Sequence, residues 1–354
     1  MTADEKYMLR CLELAASGLG MVQPNPMVGC VIVHNGRIIG EGWHRQFGGP
    51  HAEVNAVQSV ADKSLLCEST LYVNLEPCAH QGKTPPCADM IASLKIPKLV
   101  AGTRDPHEKV AGKGFGLLRK AGVNIVEGVM EGSCRWLNRR FFSFHEKKRP
   151  FVILKWAQAK DGFVDIIRDE NHPVRPTWIT DHSARMLVHK WRSEEQAILV
   201  GTKTAQHDNP SLNVRDWKGK NPLRMVIDRR LVLSQDLSLF DGTVPTVVFT
   251  EIPAKNKENI KYVVVDFSQL NEEIISFLYD QNIQSVIIEG GPVLQQSFIN
   301  AGLWDEARVF TGRMLFEHGI PAPAINGKLY SEEMLPGGRL QIFTRESSVF
   351  FENP

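Results

Sequence analysis

The residues best suited to chemistry stand near the start of the chain, in a fixed order. His51-Ala52-Glu53 comes first, then Pro77-Cys78, then Cys87. One imidazole and two thiolates can hold Zn²⁺ tetrahedrally and leave the fourth position to water. The ion draws the pKa of that water towards about 7, which makes hydroxide available at neutral pH. Glu53 lies two residues from the histidine and is not needed as a ligand. It can take the water's proton and hand it to a leaving amine. The metal candidates are therefore His51, Cys78 and Cys87, and the catalytic candidate is Glu53.

Zinc nucleobase deaminases carry His-x-Glu followed by Pro-Cys-x-x-Cys. This chain is similar in order but not in spacing, because eight residues separate Cys78 from Cys87. The insert contains His80, Lys83 and the stiff Thr84-Pro85-Pro86. His80 is an alternative fourth ligand, which would close the site and make the metal structural. Lys83 is a candidate contact for an anionic or carbonyl group of a substrate. Cys11, Cys30, Cys67 and Cys134 stand in scattered or apolar contexts and read as buried thiols. Upstream, Asn25 sits between two prolines in Gln23-Pro24-Asn25-Pro26-Met27-Val28-Gly29. It is a candidate to present its amide to a heterocycle, a plain turn being the alternative.

The second half holds no Gly-x-Gly-x-x-Gly fingerprint and no Walker loop. Its informative piece is Ser285-Val286-Ile287-Ile288-Glu289-Gly290-Gly291-Pro292. This reads as a strand, a glycine turn and a helix opening at proline, which suits the first helical position. Free N–H groups at such a helix start attract a phosphate. Arg229 and Arg230 follow a strand ending at Asp228. A cation there could bind the 2′-phosphate of NADPH; a surface arginine is the alternative.

These residues need elements to hold them. Apolar spacing predicts a helix over residues 4–18, and Asn35-Gly36 predicts a hairpin between strands 29–34 and 37–42. Helices follow at 51–60, 88–94 and 114–121, with strands at 71–75, 98–102 and 123–126. A closing helix spans 131–146 and ends in Lys147-Lys148-Arg149-Pro150, the best linker. Further strands are expected at 151–156, 197–201, 223–228, 247–249, 262–266 and 285–289, with helices between several of them. Strands alternating with helices predict α/β domains with a largely parallel sheet. The expected division is 1–147 and 148–354.

Composition agrees. The 354 residues are 43% hydrophobic and 23% charged, with 41 Lys+Arg against 40 Asp+Glu. A nucleic-acid partner usually brings a clear basic excess, and no apolar run is long enough for a membrane span. Six cysteines are too sparse for a disulfide scaffold and fit a reducing cytosol. The polar N-terminus does not read as a secretory signal. A cytoplasmic enzyme acting on a small molecule is expected, with neither a nucleic-acid nor a membrane partner.

Three segments carry a specific resemblance: Pro24 to Cys30, His51-Ala52-Glu53-Val54-Asn55-Ala56, and Leu75 to Cys87 with its Thr-Pro-Pro-Cys ending. They resemble the bifunctional riboflavin-biosynthesis deaminase/reductase family of bacteria. Ala101 to Pro106 and Val110 to Gly114 continue the likeness. The resemblance implies a cytidine-deaminase-like first domain and a dihydrofolate-reductase-like second one. It implies zinc-dependent removal of the 2-amino group from a diaminopyrimidinone carrying a ribosylamino 5-phosphate. NADPH-dependent reduction of the ribosyl group to ribityl follows. Trp178, Thr204 and Asp208 fall at NADP contacts, and so does the run Gly291, Pro292, Val293, Leu294, Gln295, Gln296 and Ser297; Ala157 and Arg229 are further cofactor-binding candidates. Arg192, Leu212, Arg215 and Glu289 fall at substrate contacts, the arginines suiting the substrate phosphate. Lys155 and Glu289 are candidates to assist proton transfer near the reacting imine. The family also suggests a homodimer or higher homo-oligomer through the reductase domain.

Three segments depart from the family pattern. Ala159-Lys160-Asp161-Gly162-Phe163 follows the first reductase strand, Pro176 replaces a serine, and Gly312-Arg313-Met314-Leu315-Phe316 replaces a Pro-Lys-Leu-x-Gly segment. They keep one alternative in play: a monofunctional zinc deaminase with a degenerate reductase domain. A tRNA-acting deaminase and a non-catalytic zinc module are more distant readings.

Overall fold

The computed structural model describes residues 1–79, 85–107, 111–167 and 177–345. The described chain divides into two compact units, the first ending at Lys148 and the second starting at Arg149.

The first unit runs α1 (Ala3–Ala16), β1 (Gly29–His34), β2 (Arg37–Trp43), α2 (Ala52–Ser59), β3 (Thr70–Val73), α3 (Cys87–Ser93), β4 (Lys98–Ala101), α4 (Lys113–Lys120), β5 (Asn124–Val126), α5 (Glu131–Leu137) and α6 (Arg139–Lys147). Thr2 and Glu5 form a reciprocal capping box that starts α1. Asn35 and Gly36 both take positive φ, as a two-residue hairpin requires. The strands lie in the order β2-β1-β3-β4-β5. β1 pairs antiparallel with β2 and β3, while β3, β4 and β5 run parallel.

Strand alternation explains the layering. Cys30 and Ile32 of β1 face a core shared with Ala52 and Ala56 of α2 and Ile91 of α3. Val31 and Val33 face the opposite core, with Met8 and Cys11 of α1 and Cys134 of α5. The result is a sheet between two helical layers. Helix α2 lies almost on the backbone of β2: a methyl group at Gly42 would come within 2.3 Å of the Ala56 nitrogen.

The single closing helix expected over 131–146 is two helices. Asn138 breaks it, because its buried amide accepts from Met27 N–H and donates to Met27 C=O. Cys67, expected to be buried, is exposed.

The second unit contains β6 (Phe151–Gln158), β7 (Phe163–Asp165), α7 (His182–Glu194), β8 (Ala197–Val200), α8 (Thr202–Asp208), β9 (Leu223–Ile227), β10 (Thr246–Thr250), β11 (Ile260–Val264), α9 (Leu270–Asp280), β12 (Ser285–Gly290), α10 (Pro292–Asn300), β13 (Glu306–Gly312), β14 (Ile320–Pro321), β15 (Lys328–Leu335) and β16 (Gly338–Thr344). Its nine-stranded sheet has the order β11-β10-β9-β8-β12-β6-β13-β16-β15. Seven strands, β11 through β13 in that order, are parallel. β16 and β15 add an antiparallel edge.

The central parallel strands are buried on both faces. Leu154, Leu199 and Ile288 pack with Phe298 of α10 and Leu278 of α9. Ile153 and Ile287 pack with Ala184 and Trp191 of α7 on the other side. A strand of this kind reads as a continuous apolar run, which is why β6, β8 and β12 are legible. β13, β15 and β16 were not expected. β13 buries Glu306 and Arg308 in its interior, paired to each other at 2.6 Å, and so lacks the apolar signature. The strand expected at 262–266 begins two residues earlier, at Ile260.

Close packing of α2 on β2 yields the first test. Gly42→Ala forces those backbones apart and should cost about 1–3 kcal/mol of stability. The check is a lowered unfolding midpoint by circular dichroism. An unchanged midpoint would show that α2 is not clamped there.

Candidate functional site: a His-Cys-Cys centre and a strand-end crevice

In the first unit, His51 immediately precedes α2 in extended backbone, and its side chain makes no helix-capping hydrogen bond. The ring is instead turned to sulfur. Its Nδ1 lies 3.5 Å from Cys78 Sγ and 3.4 Å from Cys87 Sγ. All three donor atoms lie within 4.8 Å of one another. Cys87 opens α3, and its N–H points to the Cys78 sulfur at 3.4 Å, while Ala88 N–H donates to the Cys78 carbonyl at 3.1 Å. A hydrogen bond from the Cys87 thiol pulls Cys78 down to about 4 against the opposing push of burial, with His51 helping. The second thiol is correspondingly pushed up. This donor set fits Zn²⁺: two sulfurs, one imidazole nitrogen and a fourth position not filled by any described residue. Glu53 is buried in the first turn of α2, and burial raises its carboxyl above the usual range.

The surrounding polar groups were largely missed by sequence reasoning. His44 stacks edge-on to His51 with ring centroids 5.6 Å apart. Its Nδ1 contacts the Pro50 carbonyl at 2.9 Å, so that nitrogen carries the proton. Burial lowers its pKa and keeps the ring neutral. Its Nε2 then accepts from the Asn25 amide at 3.1 Å, which fixes which end of Asn25 is nitrogen. Asn74 and Asn138 hold the segment after Asn25, donating to the Met27 carbonyl at 3.0 and 2.8 Å. Glu76, beside the cysteine loop, is buried and accepts four backbone N–H groups, from Asp105, Gly112, Gly114 and Phe115. The only sequence signal for these residues is their neighbourhood to the motif. Lys83 and His80 lie outside the described residues.

In the second unit the predicted residues gather where the parallel strands end. Open α/β sheets bind ligands there, where strand order reverses. β12 sits between β6 and β8, and its end carries Glu289, Gly290 and Gly291. Gly291 has φ +78°, and Pro292 takes the first position of α10. Thr204 packs against the turn: a methyl group at Gly290 would come within 2.6 Å of it. Leu294 is buried in the core. Gln295 donates to the Lys155 and Ile288 carbonyls, Gln296 is held by Asn300 and Ala324, and Ser297 by Leu294 and Asn271. A cofactor phosphate would therefore meet backbone N–H groups and the exposed Val293 rather than those side chains. Ala157 ends up partly buried on β6, opposite Phe310 of β13, and Asp208 closes α8. Trp178 is half exposed. Arg229 pairs with Glu251 at 2.6 Å where β9 and β10 end.

Arg192, expected at the substrate, is engaged within the protein. Its Nε and Nη2 grip both oxygens of Glu289 at 3.0 and 2.7 Å, and Nη1 donates to the Asn213 carbonyl. Lys155 Nζ lies 3.8 Å from the same carboxylate. Burial alone would raise Glu289; Arg192 and Lys155 overcome it and hold it down at about 2. Burial lowers Lys155 from the ordinary lysine value. Glu289 is thus ionised throughout the neutral range and cannot donate a proton there. Leu212 is buried at φ +51°, and Arg215 contacts Asn213.

Comparisons with known proteins match both units. Residues 1–103 match the cytidine and deoxycytidylate deaminase zinc-binding region, and residues 150–316 match the RibD C-terminal domain. The riboflavin biosynthesis protein RibD of Synechocystis is 37% identical over 341 residues, covering 94% of this chain and 90% of that protein. The chain belongs to the RibD family. RibD of Escherichia coli is 34% identical, covering 87% of each chain. Among solved structures, a deaminase/reductase from Thermotoga maritima superposes with a TM-score of 0.88 at 37% identity, over 97% of this chain and 99% of that one. Acinetobacter baumannii RibD gives 0.86 at 31% identity, over 97% and 98%.

Both halves of a RibD protein are therefore present: a cytidine-deaminase-like domain and a RibD reductase domain. The chain is a bifunctional deaminase and reductase of riboflavin biosynthesis, using zinc and NADPH. The monofunctional alternative is not favoured. Two of the departures from the family pattern lie together: Lys160 N–H donates to the Met314 carbonyl, and Asp161 accepts from Phe316 and Glu317. Pro176, the third, lies outside the described residues. No helix among the described residues is long and apolar enough to cross a membrane.

Cys78→Ser removes one of the two sulfurs. Bound zinc should fall from about one per chain to a small fraction of that, because a zinc ligand set of this kind needs every donor. Elemental analysis after dialysis against chelator reads it, and undiminished zinc would remove Cys78 from the site.

Proposed function

We propose that the first unit removes the 2-amino group of 2,5-diamino-6-(5-phosphoribosylamino)pyrimidin-4-one by hydrolysis, and that the second unit then reduces the ribosyl group of the product to ribityl. The observation that carries the first half is the convergence of His51 Nδ1 and the two cysteine sulfurs beside a buried Glu53. Zinc held there supplies a Lewis acid that makes hydroxide available near neutral pH. Glu53 takes the water's proton and delivers it to the departing amine, which leaves as ammonia. The Asn25 amide, its nitrogen engaged by His44, offers its oxygen to a donor on the ring. Lys83 is the second substrate contact proposed for this unit.

In the second unit, NADPH supplies a hydride to the ring-opened ribosyl carbon when bound at the Gly291 turn. Trp178, Thr204, Asp208 and the start of α10 hold it. Arg229, already facing Glu251, selects the 2′-phosphate. Lys155 delivers a proton to the imine nitrogen as the hydride reaches carbon, so the C=N bond becomes an amine. Glu289, ionised and gripped by Arg192, holds Lys155 and the substrate in register. The protein acts in the cytoplasm, as a homo-oligomer assembled through the reductase domain.

The test follows ammonia release and NADPH oxidation in one series with zinc-loaded protein. Ammonia should appear first and NADPH consumption should depend on it. Glu53→Gln should slow ammonia release about a hundredfold or more while zinc stays bound. Ammonia without NADPH consumption would defeat the second half of the proposal. Full ammonia release by Glu53→Gln would defeat the first.

A further inference from the structure

Asn138 stands where α5 gives way to α6, and a residue at such a junction usually serves the helices. Its side chain does not. It makes no capping hydrogen bond to α6. Its backbone is satisfied without it, the N–H by the Cys134 carbonyl at 3.3 Å and the carbonyl by the Phe142 N–H at 3.0 Å. Both hydrogen bonds of the side-chain amide go to one residue 111 positions away: it accepts from the Met27 N–H and donates to the Met27 carbonyl, each at 2.8 Å. The amide is buried, so these bonds are made away from water and fix Met27 from both of its polar groups.

Met27 belongs to the segment that carries Asn25. Past Met27 the segment is held from the sheet. Asn74, which follows β3, accepts the Gly29 N–H at 2.8 Å and donates to the Met27 carbonyl at 3.0 Å, and the His44 N–H, which follows β2, donates to the Val28 carbonyl at 2.9 Å. The Met27 N–H is the anchor nearest to Asn25 on that side, and Asn138 takes it. Between the two stands Pro26 alone, whose ring fixes φ. A shift at Met27 therefore passes to Asn25 through one stiff residue. The Asn25 amide meets His44 Nε2 at 3.1 Å, and the His44 ring lies 5.6 Å from that of His51. Contacts thus run without a gap from Asn138 to the imidazole beside the two sulfurs.

We propose that Asn138 is a positioning residue for the deamination: by holding Met27 it sets where the Asn25 amide stands relative to His51, Cys78 and Cys87. The inference rests on the reading of the first unit as the deaminase, with Asn25 as a substrate contact. Asn138 acts through Met27 and Pro26 and touches no metal ligand. A substrate-orienting group displaced by about 1 Å can cost a hundredfold in rate, even when the altered residue is remote from the chemistry.

The experiment is a double-mutant cycle on ammonia release, with kcat and KM measured for the unsubstituted chain, Asn25→Ala, Asn138→Ala, Asn138→Asp and the double alanine variant, all zinc-loaded. Asn138→Ala should lower kcat/KM about ten- to a hundredfold and divide the loss between kcat and KM as Asn25→Ala does. The double variant should fall little further than Asn25→Ala, because residues that act through one another are not additive. Asn138→Asp keeps the acceptor for the Met27 N–H and, when ionised, lacks the donor; it should fall between. Zinc should stay at about one per chain, and NADPH oxidation with the deaminated substrate should change by less than about twofold. Losses that multiply in the double variant would overturn the proposal, since Asn138 would then act independently of Asn25. Loss of zinc from Asn138→Ala would overturn it in favour of a residue that merely keeps the metal centre folded. Undiminished ammonia release by Asn138→Ala, or by Asn25→Ala, would also overturn it and leave the deaminase reading standing. No ammonia from the unsubstituted chain would overturn that reading, and the inference with it. If Asn138→Ala fails to fold by circular dichroism, the same cycle is read with Asn138→Asp.

Discussion

A carboxylate taken out of water must be met by donors, and each unit of this protein is arranged about one. In the first unit Glu76 accepts four backbone N–H groups from a chain segment that closes beside the cysteines. In the second, Glu289 is met by the Arg192 fork and by Lys155. A buried carboxylate without such partners would cost several kcal/mol or take up a proton. The two solutions differ in consequence. Backbone donors fix a loop; they bring Asp105, Gly112, Gly114 and Phe115 against the strand end that precedes Cys78. Side-chain donors fix each other; Arg192 and Lys155 come from different elements and meet at Glu289. Site geometry in both units thus follows from the need to satisfy one charge.

What the sequence disclosed depended on whether a residue's task is local. His51, Glu53, Cys78 and Cys87 are readable because their types are unusual together and their order is short-range. β6, β8 and β12 are readable because burial on both faces writes a continuous apolar run. β13 is not, because Arg308 inside it pairs with Glu306 and Glu195 and stacks on Trp191. Its charges look like a surface strand until the partners are known. Asn138 is the same lesson in a helix. Nothing near it signals a break, because the groups it satisfies belong to Met27, far away in the chain. His44 and Glu76 escaped for the same reason: the hydrogen bonds that define their use are tertiary.

Arg192 shows that a residue's type leaves its partner open. A guanidinium in this crevice suits a phosphate on chemical grounds alone. The choice of ligand is decided by competition, and a carboxylate held at hydrogen-bond distance in a buried site competes well. The departures from the family pattern argue similarly. Taken one at a time, the loop from Ala159 to Phe163 and the segment from Gly312 to Phe316 look like losses. The two are in contact: Lys160 N–H donates to the Met314 carbonyl, and Asp161 accepts from the N–H of Phe316 and of the next residue, Glu317. Backbone groups make these bonds whatever the neighbouring side chains are, so the altered side chains are poor evidence for decay of the reductase half.

Both units put their chemistry at the edge of a sheet rather than inside it. The central strands have apolar neighbours on both faces and cannot carry charge at their centres without a paired partner, as Glu306 and Arg308 illustrate. At the strand ends the chain must turn, which exposes N–H groups and lets helices start. His51 and Cys87 sit at helix starts in the first unit, and Gly291 at one in the second. Two unrelated chemistries, one needing soft donors for a metal and one needing an anion site for a dinucleotide, therefore use the same structural resource. In each case the helix start carries the group proposed to face the ligand, and the sheet behind it supplies the rigidity that keeps the group in place.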